Sequence, residues 1–147
     1  MKGRTVALDL GSARVGVAID DELGKMAHPR GVLDGKDRGK LMRALKDLTA
    51  AENVERFVVG LPLDMKGGEG DAAAKAREIA QQIANATGKD VELWDERLTT
   101  VQAARALRAS EVHGKKAKGR IDEASACMIL QAWLDQARAR GAEDPEG

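Results

Sequence analysis

Aromatic residues are nearly missing from this chain of 147 residues: Phe57, Trp94 and Trp133 are the whole set, with no tyrosine. That shortage argues against a surface that stacks several nucleic-acid bases in a row. Cysteine is almost missing as well. Cys127 stands alone, which rules out an intramolecular disulfide and reads as a small buried hydrophobe. Net charge is lacking, because 24 Lys and Arg balance 24 Asp and Glu, so any contact with nucleic acid must come from a local basic patch. No apolar run reaches membrane-spanning length and no signal peptide is visible, so the expectation is a cytoplasmic protein with no membrane contact.

What is present is an ordinary globular apolar fraction, enough for one core. The expected organisation is one domain over residues 1–139 and a polar, disordered tail over 140–147. The chain is organised around Thr5–Asp20. Val6, Ala7, Leu8 and Leu10 form an apolar run with Asp9 as its one charge. A continuous apolar run reads as a strand covered on both faces, where an ionised carboxylate is costly without a metal, a cation or several donors. A bond from Asp9 to turn N–H groups is the plainer alternative. Val15, Val17 and Ile19 then alternate with Gly16, Ala18 and Asp20, a second strand of a hairpin whose small residues allow something to approach closely.

Gly24–Arg30 reads as a short third strand ended by Pro29, and His28 beside it as an edge residue. Lys36–Glu52 carries Leu41, Leu45 and Leu48 at helical spacing. Arg56–Gly60 is a short apolar strand, followed by a Gly-rich loop at Asp64–Gly70 that lacks P-loop spacing. Asp71–Thr87 is a second amphipathic helix with Gly88 as its stop. Val91–Trp94 is another strand. Thr99 and Gln102 fit a capping box opening a helix through Val101, Ala104 and Leu107. Ser110–Arg120 reads as an exposed basic loop, and Ile121–Ala139 as a helix packed on two sides. A meander followed by alternating strands and helices implies an α/β fold with a mixed sheet and helices on both faces.

Three acids fall where strands end or helices begin: Asp9, Glu96 after the last strand, and Asp122 in the first turn of the last helix. Ligands gather at the carboxyl ends of parallel strands, and Asp9 and Glu96 share that edge if their strands are parallel. Clustered carboxylates repel one another without a cation, and hard oxygen donors favour Mg²⁺ or Mn²⁺ over Zn²⁺. Two such ions about 4 Å apart can activate water and steady the leaving oxygen of a phosphodiester. Taken singly, Asp122 could complement a helix dipole and Glu96 could be a surface acid paired with Arg97.

The stretches ALDLGSARVGVA (Ala7–Ala18), VVGLPLDMKG (Val58–Gly67), DERLTT (Asp95–Thr100) and KGRIDEASACMIL (Lys118–Leu130) resemble the YqgF/RuvX family. These are pre-16S rRNA nucleases similar to Holliday junction resolvases of the RNase H-like superfamily. The resemblance spans nearly the whole chain except the tail. It implies an RNase H-like fold, with a three-stranded antiparallel part and parallel strands. It also implies that Asp9, Glu96 and Asp122 match the family's acidic, metal-holding positions. The fourth strand, Arg56–Gly60, carries no acid, unlike many nucleases of the wider superfamily.

The resulting expectation is a metal-dependent nuclease acting on structured RNA in ribosome maturation. Arg14, Arg97, Lys115, Lys116, Lys118 and Arg120 would hold phosphates. Resolution of branched DNA by a homodimer is the related variant, with a monomer equally open. A non-catalytic RNA- or ribosome-binding module on the same fold is the alternative from another class. A phosphotransferase of the actin/sugar-kinase type has a similar first phosphate motif, but clamps ATP between two such domains, and this length supplies one.

Overall fold

The computed structural model describes residues 3–11, 13–103 and 115–143, the side chains at 115–120 and 142–143 excepted. Three antiparallel strands come first: β1 (Arg4–Leu10), β2 (Arg14–Asp20) and β3 (Ala27–Asp34). β4 (Val54–Leu61) and β5 (Asp90–Asp95) then continue the sheet in parallel with β1. The order across the sheet is β3-β2-β1-β4-β5. β1 is the central strand of a sheet covered by helices on both faces, which is why its consecutive residues Val6, Ala7 and Leu8 are all apolar and all fully buried.

Alternation along the strands separates two cores. Val6, Leu8, Val15, Val17, Phe57 and Val59 face α1 (Arg38–Glu52) and α2 (Asp71–Thr87). Ala7, Ala18, Val58 and Trp94 face α3 (Lys115–Glu143) through Ala126, Ile129, Leu130 and Leu134. Leu41 and Leu45 of α1 are fully buried, worth roughly 1.5–3 kcal/mol each. Asp37 starts that helix by accepting the Lys40 N–H at 3.1 Å, a cap worth about 1 kcal/mol. Gly88 ends α2 in the left-handed region, φ +70°, as its placement in the sequence anticipates. Among the described residues, no helix is long and apolar enough to cross a membrane.

Four expectations need correction. β3 runs on to Asp34 instead of stopping at Pro29, which pairs with Ala18. It is the edge strand, hydrogen-bonded on one flank only, so a residue with no N–H is tolerated. A register shift opposite Gly16–Ala18 and a positive φ at Gly31 let the strand continue past it. α3 begins at Lys115, so the second half of the expected basic loop is helical; Lys115, Lys116, Ala117, Lys118 and Arg120 are helix formers. The same helix reaches Glu143, four residues into the expected tail. The capping box is not reciprocal: the Thr99 N–H donates to the Glu96 carbonyl and the Gln102 amide donates to the Leu63 carbonyl. Residues 104–114 and 144–147, which include most of the expected helix through Ala104 and Leu107, lie outside the described residues.

Candidate active site

Asp9 sits near the carboxyl end of β1 on the face turned to α3, the face of Ala7. Its neighbour across β2 is Gly16. On the β4 side, Leu8 pairs with Val59, so one step further along the parallel ladder brings Asp9 level with Gly60. A glycine therefore lies on each side of this acid, and each glycine leaves room that another acid fills. The backbone of Asp122, at the start of the apolar part of α3, lies where a side chain on Gly16 would be. The Glu96 carboxylate, through Oε2, occupies the space beside Gly60, with Ile129 closing it from the helix. The three carboxylate residues are thus gathered around one level of the sheet.

Local chemistry explains how Glu96 gets there. β5 ends at Asp95, and a single 3₁₀ turn over Glu96–Leu98 follows. Asp95 caps that turn by accepting the Arg97 N–H at 2.9 Å, and its carboxylate also grips the Arg97 guanidinium through Nε at 3.0 Å and Nη2 at 2.7 Å. The Arg97 hydrogen bonds hold the Asp95 carboxyl below its usual range and keep the guanidinium firmly charged. The turn then folds Glu96 inward, where it is 2 % exposed. Glu96 is therefore not the surface acid paired with Arg97 that its neighbours suggest; Asp95 takes that role.

Arg97 also meets the Gly-rich loop. Asp64 builds that loop by accepting the N–H groups of Lys66 and Gly68 at 2.9 and 2.6 Å. This brings Gly67, at φ +86°, against the Arg97 guanidinium. On the opposite flank, Arg14 Nε donates to Asp122 Oδ2 at 2.7 Å. Two arginines thus border the carboxylates, each held by an acid. Lys115, Lys116, Lys118 and Arg120 lie on the first turns of α3, but their side chains are outside the described residues.

As the side chains stand, Asp122 is turned toward Arg14. Among the described residues no group of three His, Cys, Asp or Glu side chains forms a set ready to hold a metal ion. The donor chemistry still fits a hard divalent cation. Asp9 at 4 % exposure and Glu96 at 2 % are carboxylates in an apolar, small-residue wall, where nearby positive charge lowers the cost of burial. The absence of a side chain at Gly60 is what admits the Glu96 carboxylate into that wall.

Of the residues the sequence singles out, the structure brings Asp9, Glu96 and Asp122 around one level of the sheet with Arg14 and Arg97 beside them, and it shows the close approach at Gly16. Reasoning from the sequence misses Gly60, whose signal is a glycine ending the apolar alternation of RFVVG. It also misses Asp95, for which the adjacent Asp-Glu-Arg triplet gives no hint of which acid holds the arginine.

A family model described as "RuvX: Holliday junction resolvase" matches residues 3–136. A protein of Streptomyces coelicolor named "Putative pre-16S rRNA nuclease" is 44 % identical over 99 % of this chain and 88 % of its own length. One of Streptomyces avermitilis with the same name is 44 % identical over 99 % of this chain and 94 % of its own length. Among solved structures, T. thermophilus RuvC in complex with Holliday junction substrate superposes with a TM-score of 0.57 at 13 % identity, covering 92 % of this chain and 96 % of that one. That likeness establishes the RuvC-like, RNase H-type fold. With the match running across β1 to α3, through all three acids and both arginines, the chain belongs to the RuvX family.

Proposed function

We propose that this RuvX-family nuclease, a hydrolase of phosphodiester bonds, depends on a divalent metal and cuts structured RNA, processing the 5′ end of pre-16S rRNA in ribosome biogenesis. The observation that carries this reading is the burial of Asp9 and Glu96 on one face, around the space that Gly60 leaves. Relatives named for pre-16S rRNA at 38–44 % identity support RNA as the substrate.

Asp9 and Glu96 would hold Mg²⁺ or Mn²⁺, with Asp122 joining when it leaves Arg14. When bound, the cation supplies Lewis-acid polarisation of the phosphodiester and offsets the carboxylate charges. Glu96 would take a proton from the attacking water, a role supported by a carboxylate carried on the 3₁₀ turn and shielded from bulk solvent. Arg14 and Arg97 stand on opposite flanks, suited to hold the phosphates on either side of the scissile one. Lys115, Lys116, Lys118 and Arg120, in the first turns of α3, would hold further phosphates.

The test is cleavage of a 5′-extended 16S precursor fragment and of a four-way DNA junction, with Mn²⁺ or with chelator. Expected is a defined cut in the RNA that needs Mn²⁺ and is lost in Asp9→Asn and Glu96→Gln. Preferential cutting of the junction would move the assignment to branched DNA. Binding of precursor without cutting of either substrate would favour a non-catalytic module.

A further inference from the structure

Four residues before Asp9 on β1, about 13 Å away along an extended strand, the sheet borders a different cavity. It is an open cleft of about 410 Å³ between the carboxyl-terminal half of α3 and the far ends of β1, β2 and β4. Thr5, Asp20 and Arg56 form its sheet side; Trp133, Leu134 and Arg138 form its helix side. The candidate active site uses none of them.

Arg56 is the unusual member. Its guanidinium lies over the Trp133 indole, 5.2 Å from the ring centroid. The ring is itself pinned, because its Nε1–H donates to Glu92 at 2.6 Å. The Glu55 and Glu92 carboxylates come only to 4.0 Å from the guanidinium, outside hydrogen-bonding distance. Arg56 Nε is buried with no hydrogen-bond partner, and among the described residues no acceptor is bonded to the guanidinium at all. The guanidinium is thus oriented by an aromatic ring, with Glu55 and Glu92 at 4.0 Å balancing its charge without bonding it; Nε is enclosed, and the remaining N–H donors of the fork stay available to acceptors brought by a ligand. Arg138, anchored by Asp135 at 2.8 Å, stands on the same cleft.

Asp20 narrows the choice of anion. It is 4 % exposed at the cleft floor, where Oδ1 accepts the Thr5 N–H at 3.0 Å. A carboxylate there repels a bare anion and favours a ligand that also brings N–H or O–H donors. A nucleotide has both halves: phosphate oxygens for the arginines, and ribose hydroxyls or base N–H groups for the acid. The cavity volume lies in the usual range for small-ligand sites, about 300–1,000 Å³.

We propose that this cleft is a second binding site, distinct from the carboxylate edge, that takes a nucleotide through its phosphate on Arg56 and Arg138 and its donor groups on Asp20. The phosphate could arrive on a free nucleotide or on the end of an RNA chain. The assignment stands whether or not the carboxylate edge cuts RNA.

Trp133 gives a direct readout. In full-length Trp94→Phe protein it is the only tryptophan, so its fluorescence is titrated with GMP, with inorganic phosphate and with a 5′-phosphorylated oligoribonucleotide. Calorimetry on the unmodified chain repeats the titration free of any effect of the substitution. Expected is saturable binding of GMP at up to millimolar concentration, weaker binding of phosphate alone, and a loss of at least about tenfold in Arg56→Gln or Arg138→Gln, the scale of one charged hydrogen bond. Tighter binding of the oligonucleotide than of GMP assigns the site to RNA ends; the reverse assigns it to free nucleotides. The proposal is overturned by no saturable response in either measurement, by phosphate binding as tightly as GMP, or by an unchanged affinity in both arginine variants.

Discussion

Asp20 is a buried carboxylate with few donors, and burial wins: desolvation raises its pKa above the usual 3.8, against the smaller lowering from the Thr5 N–H, Arg4 and its own N–H, while Asp21 adds to the rise. The folded state therefore holds this proton more tightly than the unfolded one. Between 3.8 and the raised folded value, stability falls as pH rises, and the cost stays in full above that window. Asp20→Asn keeps an acceptor for Thr5, so it should raise the melting temperature at pH 7 and show no advantage below about pH 4. Melts of both proteins across that range check the sign. Burial, with help from Glu123, pushes the Cys127 thiol up to about 11. It should react with a disulfide reagent at pH 8 far more slowly in the native protein than in urea. Glu96→Gln keeps shape and removes one of the two buried carboxylates at the candidate site, Asp9 being the other. Cleavage should fall at least about a hundredfold while the melting temperature holds or rises. A stability loss with ordinary cleavage would give Glu96 a structural role instead.

At the scale of elements, glycines decide how closely parts approach. A methyl group on Gly16 would meet the backbone carbonyl of Asp122 and the Glu123 N–H, and backbone in a long helix cannot swing aside. Gly16→Ala should lift α3 from β2 and cost about 1–3 kcal/mol in a urea melt. A methyl on Gly60 would meet the Glu96 carboxylate and the end of Ile129, both of them side chains that can rotate. Gly60→Ala should therefore cost less stability than Gly16→Ala and still abolish cleavage by displacing Glu96. Helices were the most legible elements: α2 runs over Asp71–Thr87, the bounds its apolar spacing predicts, because a helix buries one stripe and the stripe is written in the sequence. β3 was the least legible. Its passage through Pro29 depends on being an edge strand, and edge status belongs to the sheet, which the local sequence does not encode.

For the whole molecule, the central position of β1 between an antiparallel and a parallel neighbour gathers acids from residues 9, 96 and 122. A cation bound by native Asp9 but not by the unfolded chain should stabilise the fold by mass action, about 2.7 kcal/mol at a hundred times Kd. That should raise the melting temperature by several degrees for a chain of this size. Asp9→Asn should lose the increment, and without metal it should be at least as stable as the unsubstituted protein, since a buried charge has gone. A melt unmoved by millimolar Mn²⁺, together with a less stable Asp9→Asn protein, would remove Asp9 from any metal site.

By itself the sequence determined the alternation of strands and helices, the burial of Asp9 within an apolar run, and the small-residue face at Gly16 and Ala18. Each depends on spacing along a few residues, where backbone period and hydrophobicity act directly. Only the tertiary structure decided which acid is buried after β5 and which holds Arg97, that Asp122 meets Arg14 across 108 positions of chain, and that Arg56 lies on Trp133 over a cleft. Those outcomes depend on which surfaces the sheet order brings face to face. Charged side chains within a few residues of one another look alike in sequence until packing removes water from one of them and leaves it around the next.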